Sequence, residues 1–297
     1  MQPDWIAADW GTSNLRVYAM SAQGRVLAEA VSEDGMGRLV PEQFEPALLR
    51  LIGAWLGEGV LPIYACGMVG ARQGWVEARY RTVPCPPLDV GALTRVPVQD
   101  KRLRVFIAPG LSQAKPADVM RGEETQIAGA LAQGGGDGVY CLPGTHSKWA
   151  HVSAGEVVSF QTFMTGEMFA LLAKQSVLRH GLAGAEGEVP EAFDAAVSEA
   201  LSRPERLAAR LFTLRAEGLL EGLGAAAARS RLSGLLIGAE LAAAKPYWLG
   251  QPVTLIGSAG LSAAYARALA AQGVSAKLLD VASCTLAGLS TLIAPRP

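Results

Sequence analysis

The runs Asp9-Trp10-Gly11-Thr12-Ser13-Asn14-Leu15-Arg16 and Leu142-Pro143-Gly144-Thr145-His146-Ser147-Lys148-Trp149 are two versions of one device, a Gly-Thr pair followed by hydroxyl or amide side chains. Glycine lets backbone N–H groups close on an anion, and the Thr and Ser hydroxyls add donors, so each run is suited to hold a phosphate. A single Gly-Thr pair is an ordinary hairpin turn. Its recurrence suggests two similar half-molecules facing one ligand. Gly257-Ser258-Ala259-Gly260, where an apolar run meets a helix start, is a third candidate nucleotide contact, although any strand-to-helix turn favours Gly and Ser.

The elements that must position these loops are legible nearby. Apolar residues 5–8 and 139–142 predict strands, each followed by a second strand and a turn at Gly24 or Gly155. Phe44, Leu48, Leu51, Ile52 and Trp55 have helical spacing. Residues 61–66 predict a strand delivering the loop Gly67-Met68-Val69-Gly70-Ala71-Arg72-Gln73-Gly74-Trp75, and residues 104–108 another ending at Pro109-Gly110. Asp118 to Gln126 leads into an Ala-rich helix that Gly134-Gly135-Gly136-Asp137-Gly138 terminates. The crossing between halves is placed here, giving domains 1–118 and 119–281. The second has a helical insertion at about 166–245, strands at 253–256 and 278–280, and a closing helix, 282–297, free to return to the first domain.

Composition narrows the classes. With 297 residues, half of them hydrophobic, a large core and two domains are affordable in length. The 26 basic and 27 acidic residues leave a formal charge of −1, which gives no overall electrostatic reason to bind nucleic acid or a membrane surface. The N-terminus lacks a basic and apolar leader pattern, and apolar stretches are interrupted before spanning length, so a cytoplasmic protein is expected. Cys66, Cys85, Cys141 and Cys284 are widely spaced and read as buried thiols. His146 and His151, five apart on a strand, point to opposite faces and do not suggest a shared metal.

Neither the Gly-x-x-x-x-Gly-Lys-[Ser/Thr] loop nor a helix-opening Gly-x-Gly-x-x-Gly is present. Two Gly-Thr hairpins and a Gly-Ser helix turn instead resemble the actin, hexokinase and Hsp70 ATPase superfamily. This implies an α/β fold of two related ribonuclease-H-like domains with an ATP cleft between them. Residues 67–75, Arg121-Gly122-Glu123-Glu124-Thr125-Gln126, the second Gly-Thr run and Leu232-Ser233-Gly234-Leu235-Leu236-Ile237-Gly238 together resemble the 2-dehydro-3-deoxygalactonokinase family. The resemblance implies transfer of phosphate from MgATP to the 6-hydroxyl of 2-keto-3-deoxygalactonate in galactonate breakdown. A homodimer is left open.

Each role that phosphoryl transfer requires then has a candidate. Asp9, ending a buried strand, is suited to hold Mg²⁺ directly or through water. Gly11, Thr12, Ser13, Asn14, Gly144, Thr145, His146 and Ser147 line phosphates, with Arg16 adding a charge-assisted contact. Lys148 either reaches the γ-phosphate or alternates outward on its strand. Gly257, Ser258, Ala259 and Gly260 meet the nucleoside. Glu123 is expected as general base with Glu124 its close rival, although acids at a helix start also follow from the dipole alone. Arg72 is the planar donor for the acceptor's carboxylate, with Gly35, Met36, Gly70, Gln73 and Trp75 around the sugar. One departure is that Leu142 stands where Asp9 stands in the first run. The Gly-Glu-Glu turn also resembles exopolyphosphatases of the superfamily, so hydrolysis is the alternative, with an ATP-switched binding protein behind it.

Overall fold

A computed structural model of the chain describes residues 2–293. Contacts divide it into two units, the first comprising residues up to Asp137, Val152–Phe160 and those from Leu279 onward, the second Gly138–His151 and Gln161–Leu278.

The first unit begins with β1 (Trp5–Trp10), β2 (Leu15–Met20) and β3 (Val26–Ser32), then α1 (Phe44–Ile52), β4 (Leu61–Gly67), β5 (Arg81–Thr82), β6 (Thr94–Arg95), β7 (Leu103–Ile107), β8 (Leu111–Gln113) and β9 (Asp118–Met120). Its main sheet has the order β3-β2-β1-β4-β7-β6. β1 pairs antiparallel with β2 and parallel with β4. β1 reads almost entirely buried because it is the sheet's centre, where both faces are covered. Phe44, Ala47, Leu48 and Ile52 of α1 fall on one helical face and join that core. The small sheet β5-β8-β9 has no counterpart in the sequence reading, since strands this short carry too few residues for a period to show. Residues 118–120, read as a helix approach, are the strand β9.

α2 (Glu123–Ala132) closes this segment. The elements β10 (Gly138–Leu142), β11 (Ser147–Ser153) and β12 (Glu156–Phe163) follow, then α3 (Thr165–Gln175), α4 (Arg179–Leu182), α5 (Pro190–Ser202), α6 (Leu207–Leu220), α7 (Ala225–Ala243) and α8 (Lys245–Trp248). β13 (Val253–Gly257), α9 (Ala259–Ala270), β14 (Lys277–Asp280) and α10 (Val281–Ser290) complete the described chain. The second sheet has the order β12-β11-β10-β13-β14. In both sheets, therefore, the first strand lies between the second and fourth. The repeated strand order beneath the two Gly-Thr loops is the mixed α/β architecture the resemblance implies.

α2 belongs to the first unit, so the division falls after Asp137 rather than at 118. The reason is its packing on α10. A Cβ at Gly129 would lie 1.7 Å from the Cys284 carbonyl oxygen, and one at Gly288 2.0 Å from that of Thr125. The two helices thus meet backbone to backbone, a contact that only glycine permits. The Asp280 side chain accepts the Ser283 N–H at 2.7 Å and caps α10. The final part of the expected closing helix, residues 294–297, lies outside the described residues.

Candidate active site

In the first unit the turn between β1 and β2 is held from beneath. Gly11 N–H donates to the Asn14 carbonyl at 2.9 Å, while Met36 and Gly37 donate their N–H groups to the carbonyls of Gly11 and Thr12 at 3.0 and 2.9 Å. A Cβ on Gly35 would sit 2.2 Å from the Ser13 carbonyl carbon. Gly35 and Met36, expected around the sugar, therefore brace the Gly-Thr turn through their backbone. Thr12, Ser13, Asn14 and Arg16 are exposed above it. Asp9, at the strand end, keeps 30% of its side chain accessible and lies 3.8 Å from Arg16. Burial pushes its carboxyl up, and the guanidinium draws it back down.

β4, the neighbour of β1, delivers the second part. Residues 67–75 fold on themselves, with Trp75 N–H donating to the Val69 carbonyl at 2.9 Å and Gly74 N–H to that of Ala71 at 2.8 Å. Arg72 and Gln73 are exposed on this loop. Trp75, expected as a sugar wall, stacks on Phe44 with centroids 6.0 Å apart and meets Trp10 edge-on, so much of its ring serves the core. Gly70 is buried between the Ile107 side chain and the Arg121 guanidinium, which would lie 2.7 and 2.8 Å from a Cβ there. That guanidinium lies 4.3 Å from the Tyr80 ring centre and donates to the Ala78 carbonyl at 2.8 Å.

The turn 121–125 is the third part. Glu124 is fully buried, accepting Gly122 N–H at 2.7 Å and the Thr125 hydroxyl at 3.1 Å. Burial, then the adjacent Glu123 charge, push its carboxyl up to about 8, against backbone N–H groups and Arg121 that pull it down. Glu123 is half-buried and accepts Arg121 N–H at 3.0 Å. Cys66, paired with Asp9 across the sheet, sits among these groups. Burial first, then the Asp9 and Glu124 charges, hold its thiol well above its ordinary range, and Thr125 hydrogen-bonds to it. Cys66 is thus an inert thiol against which the carboxyls are gathered.

In the second unit the corresponding turn joins β10 to β11. Gly144 is open, and α3 seats against its carbonyl, since a Cβ on Gly166 would lie 2.2 Å from that oxygen. Glu167 N–H donates to the Thr145 carbonyl at 2.9 Å, and its carboxylate meets His146 Nε2 at 2.6 Å. Lys148 does not alternate outward. It is buried, and its ammonium donates to the His146 carbonyl at 3.3 Å. Ser147 is buried beneath the turn against Tyr265. Ser258, Ala259 and Gly260 are exposed at the start of α9, while a Cβ at Gly257 would stand 3.4 Å from the Pro143 carbonyl oxygen. A 310 Å³ cavity adjoins the turn, lined by Gly144, Thr145, Thr165, Phe169, Ser233 and Tyr265 among others.

A sequence model of the 2-keto-3-deoxy-galactonokinase family matches residues 9–292, which takes in all three parts of the first unit's site and both Gly-Thr turns. The chain belongs to this family. It is 41% identical to a Rhizobium meliloti protein named "probable 2-dehydro-3-deoxygalactonokinase DgoK1", over 96% of this chain and 95% of that one. Identity to the 2-dehydro-3-deoxygalactonokinase of Escherichia coli is 36%, covering 92% and 91%. A Sinorhizobium meliloti crystal structure bearing the same enzyme name superposes with a TM-score of 0.89 at 41% identity, covering 97% and 95%.

Within this family member the sequence reading missed several buried groups. Glu240 of α7 accepts the Trp149 indole N–H and the Tyr265 hydroxyl, each at 2.7 Å. Its signal was a lone acid in an apolar helix, Ala239-Glu240-Leu241, which a buried and paired carboxylate explains. The nearby Gly234 and Gly238 are explained by packing: Cβ atoms there would lie 2.4 Å from the Phe193 carbonyl oxygen and 2.6 Å from that of Val197, so they let α7 approach α5.

Proposed function

We propose that the protein is an ATP-dependent sugar-acid kinase that transfers the γ-phosphate of MgATP to the 6-hydroxyl of 2-dehydro-3-deoxy-D-galactonate. Family membership supports the reaction class, and both relatives carry this activity in their names. The single observation that carries the chemistry is the gathering of Asp9, Glu124 and Thr125 around Cys66, beside a braced Gly-Thr turn.

Glu123 takes the 6-hydroxyl proton as the oxygen attacks the γ-phosphorus. The bond between that phosphorus and the β–γ bridging oxygen breaks, and ADP leaves. Glu123 suits this role because its side chain is partly accessible, whereas the Glu124 carboxyl is buried and keeps a proton near neutral pH. Glu124 ties Gly122 to Thr125 and so holds the turn. Arg72 meets the acid's carboxylate, and Arg16 with the turn 11–14 takes phosphate oxygens. Residues 144–146 do the same in the second unit, and the 310 Å³ cavity takes the nucleoside with Gly257 to Gly260.

Asp9 fits Mg²⁺ as a hydrated ion. Its carboxyl is partly accessible, and no cluster of three or more His, Cys, Asp or Glu suited to a metal exists among the described residues, so such an ion would keep most of its waters. Mg²⁺ supplies charge neutralisation at the transferring phosphate. No described helix is long and apolar enough to cross a membrane.

The test is ADP release from MgATP with the galactonate-derived acid, its gluconate epimer and polyphosphate, with the product analysed for phosphate. Strong stimulation by the sugar acid and a 6-phosphorylated product are expected. Phosphate release without an acceptor would overturn the kinase reading. The hydrolase alternative is not favoured by the family or by either relative.

A further inference from the structure

The buried carboxylate of Glu240 is the hub of a hydroxyl network in the second unit. Trp149 Nε1 donates to its Oε1 and the Tyr265 hydroxyl to its Oε2, both at 2.7 Å, and the Thr165 hydroxyl hydrogen-bonds to it as well. Burial pushes this carboxyl up, and the surrounding hydroxyl and indole donors hold it down. Donors converging on both oxygens match an ionised carboxylate, which offers about four lone-pair sites and no proton. Each hydroxyl has one proton. Tyr265 has given its proton to Glu240, so the Ser147 hydroxyl, 2.9 Å from the Tyr265 oxygen, must be the donor in that contact. Thr165 has likewise turned its proton toward Glu240.

Thr165 and Tyr265 both line the 310 Å³ cavity beside the 144–146 turn. With its proton committed to Glu240, the half-buried Thr165 hydroxyl meets a ligand with lone pairs, while the buried Tyr265 hydroxyl, bonded to Glu240 and Ser147, holds the network behind it. An acceptor wall repels phosphate oxygens, which are acceptors themselves, and recognises an N–H or O–H group.

We infer that Glu240 fixes the hydrogen-bond polarity of this cavity, so that Thr165 reads a hydrogen-bond donor on the nucleoside of the phosphoryl donor. The inference rests on the kinase reading for the identity of the ligand as a nucleotide. Glu240 acts as a positioning residue, because it reaches the ligand only through the hydroxyl it orients. The donor is either a ribose hydroxyl or the exocyclic amine of the base, and the test separates these.

Wild-type protein is compared with ATP, 2′-deoxy-ATP, 3′-deoxy-ATP and purine riboside triphosphate, which lacks the 6-amino group, in phosphorylation of the sugar acid. Binding of the matching diphosphates is measured in parallel by calorimetry, which needs no turnover. The analogue lacking the recognised donor should lose roughly 10-fold in kcat/KM and in affinity, because a buried acceptor is left unpaired. Which analogue loses identifies the source. In Glu240→Gln one acceptor oxygen becomes an N–H donor, the hydroxyls turn round, and the discrimination should shrink to within about 2-fold, since the wall then presents protons. Thr165→Val should level it likewise while Thr165→Ser restores it, which keeps the test decisive if Glu240→Gln folds poorly. Equal use and binding of all analogues by the wild type, or undiminished discrimination in both Glu240→Gln and Thr165→Val, would overturn the inference. Diphosphate discrimination with no phosphorylation of the sugar acid would instead sink the kinase reading and leave the cavity assignment standing.

Discussion

The Cβ that Gly122 lacks would lie 3.4 Å from the Cα of Gly67. Both glycines are left-handed, with φ of +106° and +86°. One starts the turn carrying Glu123 and Glu124, and the other ends the strand that delivers the Arg72 loop. A Cβ on Gly67 would meet the Trp10 carbonyl oxygen at 2.8 Å, directly before the Gly-Thr turn. Three pieces of catalytic candidate chain thus come together at two left-handed positions that favour glycine.

Gly122→Ala should therefore be costly. The 3.4 Å separation is ordinary contact, so the backbone angle decides the effect, and strain at such a position costs about 1–3 kcal/mol. Relief of that strain would rotate the Glu123–Glu124 turn. We expect a lower Tm, and kcat reduced more than KM for ATP. Thermal denaturation and steady-state kinetics check both, and an unchanged kcat would separate this turn from the chemistry.

Glu124 links stability to pH. Its carboxyl binds a proton up to about pH 8 when folded, against an ordinary value of 4.5. Between these values the folded state holds a proton that the unfolded chain has released. Stability should therefore fall as pH rises through this window, by at most about 1.4 kcal/mol per pH unit from this group. Glu124→Gln, which cannot ionise, should flatten the decline. Urea denaturation of both proteins at intervals from pH 5 to 8 is the measurement, and parallel slopes would remove Glu124 as the cause.

The crossing of α2 and α10 gives a purely structural test. Gly288→Ala would place a methyl group 2.0 Å from the Thr125 carbonyl oxygen, and the helices must separate to admit it. Overpacking of this kind costs typically about 1–3 kcal/mol. Because Thr125 follows Glu124, activity should fall along with stability. A variant with wild-type Tm would show that the α2–α10 contact does not limit stability.

Much of this arrangement was readable in the chain. The Gly-Thr turns, the strands entering them and the buried cysteines carry local signals: a turn residue fixes a backbone angle, and an apolar run fixes a strand. Residues whose meaning depends on distant partners were not readable. Trp75 looks like a sugar wall until Phe44 and Trp10 are found against it. Nothing local to Met36 reports that its N–H donates to the Gly11 carbonyl. Glu240 meets Trp149 and Tyr265 across 91 and 25 residues of sequence, separations that no periodicity reports. The placement of α2 was misjudged for the same reason, since its partner α10 is at the other end of the chain.

The choice between the two neighbouring glutamates can be settled by pairing their amides. Glu123→Gln keeps the size and the oxygen that accepts the Arg121 N–H, but removes the group able to take the 6-hydroxyl proton. It should bind MgATP as the wild type does, with kcat lowered by about 10²–10⁴, the usual contribution of a positioned base. Glu124→Gln replaces a carboxyl that is already protonated near neutral pH, so its kcat at pH 7 should fall far less. Its effect should appear chiefly in the pH dependence of stability. The opposite ranking, with Glu123→Gln active and Glu124→Gln dead yet folded, would move the base to the buried carboxyl. That carboxyl would then have to lose its proton before each turnover, and kcat would climb with pH toward 8.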